Sequence, residues 1–244
     1  MAKTTPRLHV AEALGAGTEL SLGPEQSHYL AHVLRLVPGD AVSLFNNESG
    51  EVLAYITTVA KKSVSLRCER QVHAVLPPPD IDYVFAPLKH QRLDYLVQKA
   101  TELGARRLQP MITARTIAER VNLDRMRANV IEAAEQCNLV FVPEVLEPKT
   151  FVKLLKSWDQ NRAIIFCDET ATTADPRQVL AALKPPAAVF VGPEGGFTGE
   201  ERTLLKSMPH VVAISLGPRI MRADTAAVAA LALVQATIGD WQTR

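Results

Sequence analysis

Residues 188–201 read Ala-Val-Phe-Val-Gly-Pro-Glu-Gly-Gly-Phe-Thr-Gly-Glu-Glu, and residues 211–226 read Val-Val-Ala-Ile-Ser-Leu-Gly-Pro-Arg-Ile-Met-Arg-Ala-Asp-Thr-Ala. Each stretch starts with a short apolar run, enters a loop containing glycine and proline, and then opens a helix. This order is typical of α/β proteins, in which ligands bind beyond the carboxyl ends of parallel strands. One such loop is equally compatible with a plain strand-to-helix turn. Two of them, both with spare polar groups, favour a ligand site.

The first loop has residues suited to a tight turn followed by a helix. Its glycines, at positions 192, 195 and 196, allow positive φ or a close approach of a ligand to the backbone. Thr198 is a good N-cap residue, and the carboxylates of Glu200 and Glu201 suit the positive end of a helix dipole. The pattern therefore predicts a helix that begins just after Thr198.

Composition describes an ordinary globular protein that lacks a strong electrostatic signature. The 244 residues are 47% hydrophobic and 22% charged, and the net charge is +1, so any nucleic-acid contact must come from a local patch. Cys68, Cys137 and Cys167 lie far apart, which indicates neither a disulfide framework nor a zinc site. The longest apolar run, Ala226–Val234, is too short to span a bilayer. These features predict a cytoplasmic protein that needs no membrane and no metal.

Residues 1–74 differ from the rest of the chain in their pattern of predicted strands and helices. Short β-branched runs at 41–45, 51–59 and 63–69, with one helix predicted over Pro24–Leu36, favour a small β-barrel. Leu76-Pro77-Pro78-Pro79-Asp80 then forms a stiff linker that neither a helix nor a central strand tolerates.

From Ile81 onwards predicted strands alternate with predicted helices. We place strands near 81–87, 107–112, 163–168, 187–191 and 211–216, and helices near 92–103, 123–137, 150–158, 176–183, 199–208 and 225–236. Such alternation predicts a parallel sheet covered by helices on both faces. The last helix is apolar nearly all round, so it is either a central core helix or a helix partly covered by a second subunit of a symmetric dimer.

The two loops carry a specific family resemblance. Gly192–Phe197 together with Leu216–Ala226 resembles the signature pair of SPOUT-class RNA methyltransferases. Within that class the chain is most similar to the family that methylates N3 of a uridine in 16S ribosomal RNA. The resemblance extends over essentially the whole chain, through Arg7, His28–Leu36, Gln98–Gly104 and Glu132–Cys137.

The resemblance implies a fold and an activity. Residues 1–74 would form a PUA-like RNA-binding domain, and residues 75–244 an α/β SPOUT domain with a trefoil knot that binds S-adenosylmethionine. It also implies a homodimer that acts on 16S rRNA of the small ribosomal subunit. Two alternatives stay open: a related SPOUT methyltransferase with another RNA target, and a non-catalytic protein that binds RNA or the ribosome.

The resemblance also implies which residues hold the cofactor. The predicted set lies on the strand that ends near residue 168 and on the two loops: Phe166, Gly192, Pro193, Glu194, Gly195, Gly196, Leu216, Gly217, Arg219, Ile220, Met221 and Thr225. Glu194 would either bond the cofactor or cap its own turn.

Arg222 is the predicted catalytic residue. Its cation would face the negative charge that develops on a uracil carbonyl as N3 loses its proton. The competing interpretation is a surface ion pair between Asp224 and either Arg219 or Arg222. Asp224 also stands where glutamate is common in the family.

Basic and histidine residues supply the predicted RNA contacts: Arg7, His28, Arg35, Lys89, Arg92 and Arg115. Solvated side chains are the competing interpretation, although basic residues outnumber acidic ones from 89 to 120. His28 and His32 lie four apart on the predicted helix, but no third ligand is evident and we predict no metal. Leu139 stands where the family usually has arginine, which is the one feature that favours the non-catalytic alternative.

Overall fold

The computed structural model describes residues 5–89, 91–117, 120–172 and 175–242. The chain divides into two compact units, and the division falls between Pro77 and Pro78. The first unit also contains residues 134–142, which are remote in sequence from its other part. No local sequence pattern indicated that this segment joins the first unit.

The first unit is built on a five-stranded sheet. Its elements are β1 (Arg7–His9), β2 (Glu19–Ser21), α1 (Pro24–His28), a π-helical turn (Tyr29–Val33), β3 (Ala41–Asn46), β4 (Gly50–Val59) and β5 (Val64–His73). The order across the sheet is β1-β3-β4-β5-β2. β1 pairs with β3 in parallel, and the other pairs are antiparallel. The core alternates along the strands and includes Val42, Leu44, Val52, Ala54, Ile56 and Leu66.

A tight turn joins β3 to β4. The side-chain oxygen of Asn46 accepts hydrogen bonds from the backbone N–H groups of Glu48 and Ser49, at 3.0 and 2.6 Å. Gly50 then adopts a φ of +77°, and a Cβ at this position would lie 2.3 Å from the carbonyl oxygen of His73. Only glycine fits the conformation and the space at this point of the hairpin.

The helix predicted over Pro24–Leu36 is shorter and less regular than expected. It changes from α-helix to the π-helical turn at Tyr29, and Arg35 takes a left-handed φ of 54°. The backbone N–H of Leu36 bonds back to the carbonyl of Leu30 at 2.9 Å, which closes the helix end. The spacing of apolar residues predicted a helix here, but it did not predict where the helix ends. Arginine is not a residue that signals a positive φ in the sequence.

The second unit alternates strands and helices as predicted. Its elements are β6 (Ile81–Phe85), α2 (Gln91–Glu102), β7 (Arg107–Ile112), α3 (Leu123–Gln136), β8 (Glu144–Val145), β9 (Lys149–Thr150), α4 (Phe151–Lys156), β10 (Ala163–Cys167), α5 (Pro176–Ala181), β11 (Ala187–Val191), α6 (Gly199–Ser207), β12 (Val211–Ile214) and α7 (Ala223–Ile238). The last residues of α3 belong to the first unit. The two-residue strands β8 and β9 were not predicted because they are too short to show a period.

The strands of the second unit are all parallel. Among the described residues their order is β12-β10-β11-β6-β7-β8, and β9 also pairs with β7. β11 enters the sheet between β10 and β6, with Phe190 opposite both Phe166 and Val84. The carboxyl ends of β10, β11 and β12 are therefore neighbours, which brings the two signature loops to one edge of the sheet.

The apolar helix α7 packs within the second unit through one of its faces. Ala223, Ala227, Ala230, Leu231 and Val234 are buried. Gln235, also buried, donates to the carbonyl of Gly104 at 3.1 Å, where the chain turns after α2 with a φ of +73°. A second set on the helix is only half-buried in this chain: Val228, Ala229, Ala232 and Leu233.

An ion cluster joins the amino ends of the central strands. Arg162 is 9% exposed and binds Asp80 at 2.9 Å and Asp82 at 3.3 Å, while Arg107 binds Asp82 at 2.7 Å. The hydrogen bonds from Arg162 are the main reason that the pKa of Asp80 is lowered. This cluster lies at the end of the sheet opposite to the signature loops, so it supports the fold and has no contact with the cavity described below.

No helix in the described part of the chain is both long enough and apolar enough to cross a membrane.

Candidate active site

A cavity of about 560 Å³ opens at the carboxyl ends of β10, β11 and β12. Three segments line it: residues 166–172 after β10, residues 191–197 after β11, and residues 215–226 between β12 and α7. The volume falls in the range of small-molecule sites. The two loops that the sequence singled out therefore face one another across a single cavity.

The loop after β11 is held from below by an aromatic cluster. The buried ring of Phe197 packs edge-on against Phe166 and, at a tilt, against Phe151, with ring centroids 5.2 and 5.9 Å apart. Gly192 lies so close to this ring that a Cβ would be 2.7 Å from Phe197 Cε2. Gly196 adopts a φ of +68°, and its N–H bonds to the carbonyl of Pro193 at 2.8 Å. The loop is thus a packed, hydrogen-bonded turn.

A capping box fixes the start of α6. Thr198 Oγ1 accepts the N–H of Glu201, and Glu201 Oε2 accepts the N–H of Thr198 at 2.9 Å. This confirms the predicted N-cap and adds a reciprocal bond. The other oxygen of Glu201 accepts the N–H of Ala114 at 2.9 Å, so one buried carboxylate anchors two segments.

The loop after β12 is more open. Gly217 adopts a φ of +109°, and its N–H bonds to the hydroxyl of Ser215 at 3.3 Å. Ile220 follows with 90% of its surface exposed, although it lines the cavity. An apolar side chain held in this way offers a surface for a planar or apolar part of a ligand.

Charged side chains connect the loops after β10 and β11. Arg202 on α6 binds Asp168 at 2.5 Å and Glu169 at 2.6 Å, and it donates to the carbonyl of Phe197 at 3.3 Å. Lys206 reaches Asp168 at 2.7 Å. Burial pushes the pKa of Asp168 upwards, but the bonds from Lys206 and Thr170 and the charge of Arg202 outweigh it and lower the pKa.

The thiol of Cys167 also lines the cavity. Burial raises its pKa to about 12, so the thiol is protonated at neutral pH. A protonated thiol is a poor nucleophile, and we therefore treat Cys167 as a small apolar lining residue.

Two arginines contact the first loop from outside the cavity. Arg92 on α2 forms an ion pair with Glu194, and its Nε lies 4.0 Å from Asp224 Oδ2 at the start of α7. Arg115 donates to the carbonyl of Gly195 at 2.7 Å. Both guanidiniums contact residues of the signature loops, and both belong to the predicted RNA-binding set.

Most of the predicted cofactor residues line the cavity. Those that do are Phe166, Gly192, Pro193, Glu194, Gly196, Leu216, Gly217, Arg219, Ile220 and Met221. Gly195 and Thr225 adjoin lining residues but are not among them. The side chain of Phe166 belongs to the core, so its backbone is the part left to face a ligand. Their roles in binding stay predictions.

The predicted catalytic residue, Arg222, is exposed at the N-cap position of α7. Neither it nor Arg219 forms an ion pair with Asp224 within the described ranges, where the neighbour of Asp224 is Arg92. The competing interpretation of a local surface ion pair was therefore wrong in its partner. The role of Arg222 in the reaction stays a prediction.

The predicted RNA-binding residues separate into exposed and buried ones. His28 and Arg35 are exposed on the first unit, and Lys89 is exposed on the second. No group of histidine, cysteine, aspartate or glutamate side chains in the described part of the chain has the arrangement of a metal site.

Arg7 requires a correction. Its guanidinium is about 10% exposed, binds Glu51 at 2.9 Å and lies 4.5 Å from the ring centre of Phe45. It also donates to the carbonyls of Ala134, Glu135 and Leu139 at 3.0, 3.1 and 2.9 Å. These bonds cap the carboxyl end of α3, so Arg7 is a structural residue of the first unit and has no donor left for RNA.

Sequence reasoning missed Arg202. Its only signal was its spacing from Lys206, four residues later on the same face of α6, near the predicted strand end at 168. That spacing is common on solvated helices, and only the fold brings both cations to Asp168.

Comparison with known proteins agrees with the predicted family. A model of the RNA methyltransferase domain matches residues 76–235, and a model of the RNA methyltransferase PUA domain matches residues 22–68. The chain is 32% identical to ribosomal RNA small subunit methyltransferase E of Rickettsia conorii, over 94% of both chains. It is 31% identical to the protein of the same name from Synechocystis, over 95% of this chain and 78% of that protein.

Solved structures show the same fold. The crystal structure of ribosomal RNA small subunit methyltransferase E from Neisseria gonorrhoeae, bound to S-adenosyl methionine, is 27% identical and has a TM-score of 0.88, covering 98% of this chain and 100% of that one. A Legionella pneumophila protein described as a methyltransferase, also bound to this cofactor, is 30% identical with a TM-score of 0.84, over 97% and 99% of the two chains. The predicted α/β SPOUT-type domain with a PUA-like domain is confirmed. The chain belongs to the RNA methyltransferase family that includes ribosomal RNA small subunit methyltransferase E.

Proposed function

We propose that this protein transfers a methyl group from S-adenosylmethionine to N3 of a uridine in 16S rRNA of the small ribosomal subunit. The observation that carries the proposal is the single cavity between the two signature loops, in a chain whose relatives share its full length. The uridine N3 target rests on the family resemblance of those loops.

The cavity fits a nucleoside-sized cofactor. Its volume is about 560 Å³. Its walls present backbone groups of two loops and the apolar surface of residues such as Ile220 and Met221. Gly192–Gly196 and Leu216–Met221 would hold the cofactor, with Thr225 at the start of α7 beside them. When bound, S-adenosylmethionine supplies an electrophilic methyl group on a positively charged sulfur.

The chain's own contribution is positioning and electrostatics. Methyl transfer needs the donor and the attacking nitrogen held in line, which a packed loop supplies. Removal of the N3 proton leaves negative charge on the uracil carbonyls, and Arg222 would face that charge with a fixed cation. Its exposed position at the start of α7, next to the lining residue Met221, supports this role.

Each domain is proposed to supply RNA contacts of its own. Residues 1–74 would bind RNA through His28 and Arg35, and residues 75–244 would track phosphates through Lys89, Arg92 and Arg115. Because the net charge is only +1, binding must depend on such local cations.

Three further features follow from the family and extend the proposal. The half-buried apolar set on α7 would be covered by a second copy in a homodimer. The carboxyl-terminal part of the second unit would form a trefoil knot around the cofactor site. The protein would act in the cytoplasm, where ribosomal subunits are assembled.

The alternatives make different predictions. A SPOUT methyltransferase with another RNA target would bind the cofactor and methylate a different nucleoside. A non-catalytic binding protein would bind RNA without turnover, and Leu139, in place of the usual arginine, is the feature that favours it.

The test is incorporation of labelled methyl groups into small ribosomal subunits from cells that lack the modification. Large subunits and fully modified small subunits are the controls. We expect label only in the unmodified small subunits. Cofactor binding without labelled RNA would favour the non-catalytic alternative, and reversion of Leu139→Arg would then be tested first.

A further inference from the structure

The reaction proposed above must release the N3 proton of uridine, and the predicted site residues did not provide an acceptor. N3 is an imide nitrogen whose proton must be removed before its lone pair attacks the methyl group. A general base within reach of that proton contributes roughly 10²–10⁴-fold to the rate. Carboxylates near the cavity are therefore candidates, and the structure distinguishes among them.

Asp168 and Glu201 are already fully engaged. Asp168 is buried beneath Arg202 and Lys206, and Glu201 holds the backbone N–H groups of Thr198 and Ala114. Removing either carboxylate from these bonds would leave partly buried donors without partners. Neither can accept a substrate proton without dismantling the loop it supports.

Glu169 and Glu194 are each bonded to an arginine. Glu169 binds Arg202 at 2.6 Å, and Glu194 forms an ion pair with Arg92. Both are about half exposed, with side-chain exposures of 55% and 45%. Each is thus held by an arginine and about half open to water, which makes it a poorly placed acceptor for the substrate proton.

Asp224 differs from these two glutamates in being mostly buried and in having its bonded oxygen held by a backbone N–H instead of by an arginine. Oδ1 accepts the N–H of Thr225 at 2.9 Å, which orients the carboxylate. Oδ2 lies 4.0 Å from Arg92 Nε, beyond hydrogen-bond distance, and has no bonded partner among residues 5–89, 91–117, 120–172 and 175–242. The side chain is 17% exposed. The open oxygen is therefore partly shielded from water and available to accept a proton.

Asp224 adjoins the cavity through its neighbours in the chain, although it is not itself among the lining residues. Ala223 and Ala226, which flank it in the first turn of α7, both line the cavity. Arg92 connects it to the lining residue Glu194. Arg222, the cation proposed to face the uracil carbonyls, precedes it by two residues. An acceptor for the proton and a cation for the carbonyl charge thus occupy the same helix start.

We propose that Asp224 is the general base that accepts the N3 proton. This inference rests on the proposed function. The N3–H bond breaks and its proton moves to Asp224 Oδ2, while the nitrogen lone pair forms the bond to the methyl carbon. The carbon–sulfur bond of the methyl donor breaks, and its electron pair stays on sulfur, which becomes a neutral thioether. Charge and atoms balance without any further reactant.

Several charged and titratable groups face Asp224 and shape its behaviour. Arg92 approaches from α2, and its charge is shared with Glu194 from the loop after β11. Tyr83 lies in the sheet. Burial is the main cause that raises the pKa of its hydroxyl, and the charges of Cys167 and Asp224 raise it further, so Tyr83 is a neutral neighbour. Cys167 is likewise protonated. Among the described residues, Arg92 is the cation that lies within 4.0 Å of the Asp224 carboxylate.

The test compares the pH dependence of methyl transfer by the wild-type protein with that of Asp224→Asn. The asparagine keeps the shape and the bond to Thr225 but cannot accept a proton. We expect a loss of at least a hundredfold at neutral pH, with a rate that rises about tenfold per pH unit and approaches the wild-type rate in alkali. The affinity for S-adenosylmethionine, measured by calorimetry, should stay within about twofold.

A second readout uses RNA that carries 5-fluorouridine at the target position. Fluorine withdraws electrons and makes the N3 proton more acidic, so a variant without its base gains more from it than the wild-type protein does. Asp224→Glu keeps a carboxylate and should retain a wild-type pH profile. That variant decides the question if Asp224→Asn does not fold.

Three results would overturn the inference. These are an Asp224→Asn profile parallel to that of the wild type, an unchanged rate, or a loss explained by weaker cofactor binding. Failure of the proposed function looks different, because the wild-type protein itself would then form no 3-methyluridine.

Discussion

The ring of Phe197 passes so close to Gly192 that a Cβ on the glycine would lie 2.7 Å from Cε2. Phe197 is buried against Phe166 and Phe151, so the ring cannot move aside without opening the core. The glycine is therefore required by packing beneath the cavity, in addition to any contact with a ligand.

Gly192→Ala should lower the free energy of unfolding by about 1–3 kcal/mol, the usual cost of an extra methyl group in a filled core. It should also weaken cofactor binding, since the loop must shift to accept the methyl group. Urea denaturation and calorimetry measure the two effects. Gly199→Ala is the matched control, because a Cβ there meets nothing within 4 Å. Equal effects of the two substitutions would contradict this account of the loop.

Ile220→Glu tests the cavity without disturbing the core. Ile220 is 90% exposed yet lines the cavity, so the change should leave stability within about 0.5 kcal/mol. Loss of its apolar surface, and the cost of removing water from the new carboxylate when the cofactor covers it, should weaken S-adenosylmethionine binding by about tenfold or more. Ile117→Glu, at another exposed isoleucine that is not among the lining residues, should have no effect on binding. A cofactor affinity unchanged in Ile220→Glu would place the cofactor elsewhere.

Arg7→Met should act on stability and leave RNA contacts alone. Removing the guanidinium leaves the carboxylate of Glu51 buried without its ion-pair partner, at a cost of about 3–5 kcal/mol. It also removes the donor to two carbonyls at the end of α3 and to that of Leu139 beyond it. Arg67→Met, on the exposed side of β5, is the control and should change stability by less than about 0.5 kcal/mol. A stable Arg7→Met variant with weakened RNA binding would restore Arg7 to the RNA-binding set.

The same pair gives a dependence of stability on pH. Burial raises the pKa of Glu51, but the hydrogen bonds from Arg7 and Ser43 and the charge of Arg7 outweigh it, and the folded pKa lies below the ordinary value of 4.5. The stabilisation is thus fully present above pH 4.5 and is lost as the pH falls through the lower folded pKa. Unfolding free energies of wild-type protein and Arg7→Met should converge as the pH is lowered through this window. A constant difference would show that Glu51 does not contribute.

Lys89→Ala should reduce the dependence of RNA affinity on salt. One phosphate contact contributes a slope of about 0.7–0.9 in a plot of log affinity against log salt concentration. Lys184→Ala is the control, since Lys184 is exposed just before β11, at the end of the sheet away from the cavity. Filter binding to small-subunit RNA over a range of salt concentrations measures both slopes. Identical slopes for both variants would remove Lys89 from the RNA surface.

The sequence predicted the architecture of the second unit closely. Its strands are short apolar runs, whereas its helices repeat apolar residues every three or four positions, so the two are easily told apart. The helix starting after Thr198 was predicted from a single residue whose chemistry leaves few alternatives. The roles of Arg7 and Arg202 were not predictable in the same way. Each depends on partners that are remote in the chain, from Glu169, 33 residues before Arg202, to Leu139, 132 residues after Arg7. The π-helical turn at Tyr29–Val33 also escaped prediction, because its apolar spacing fits an ordinary helix.

Methylation of uridine N3 can be tested directly by nucleoside mass spectrometry of 16S rRNA. Unmodified small subunits are first incubated with the protein and S-adenosylmethionine. Wild-type protein should yield 3-methyluridine, and Ile220→Glu should yield much less at the same limiting cofactor concentration, while Ile117→Glu should match the wild type. Methylation of a ribose hydroxyl or of another base, or equal yields from the two isoleucine variants, would contradict the proposed reaction or the site assigned to it.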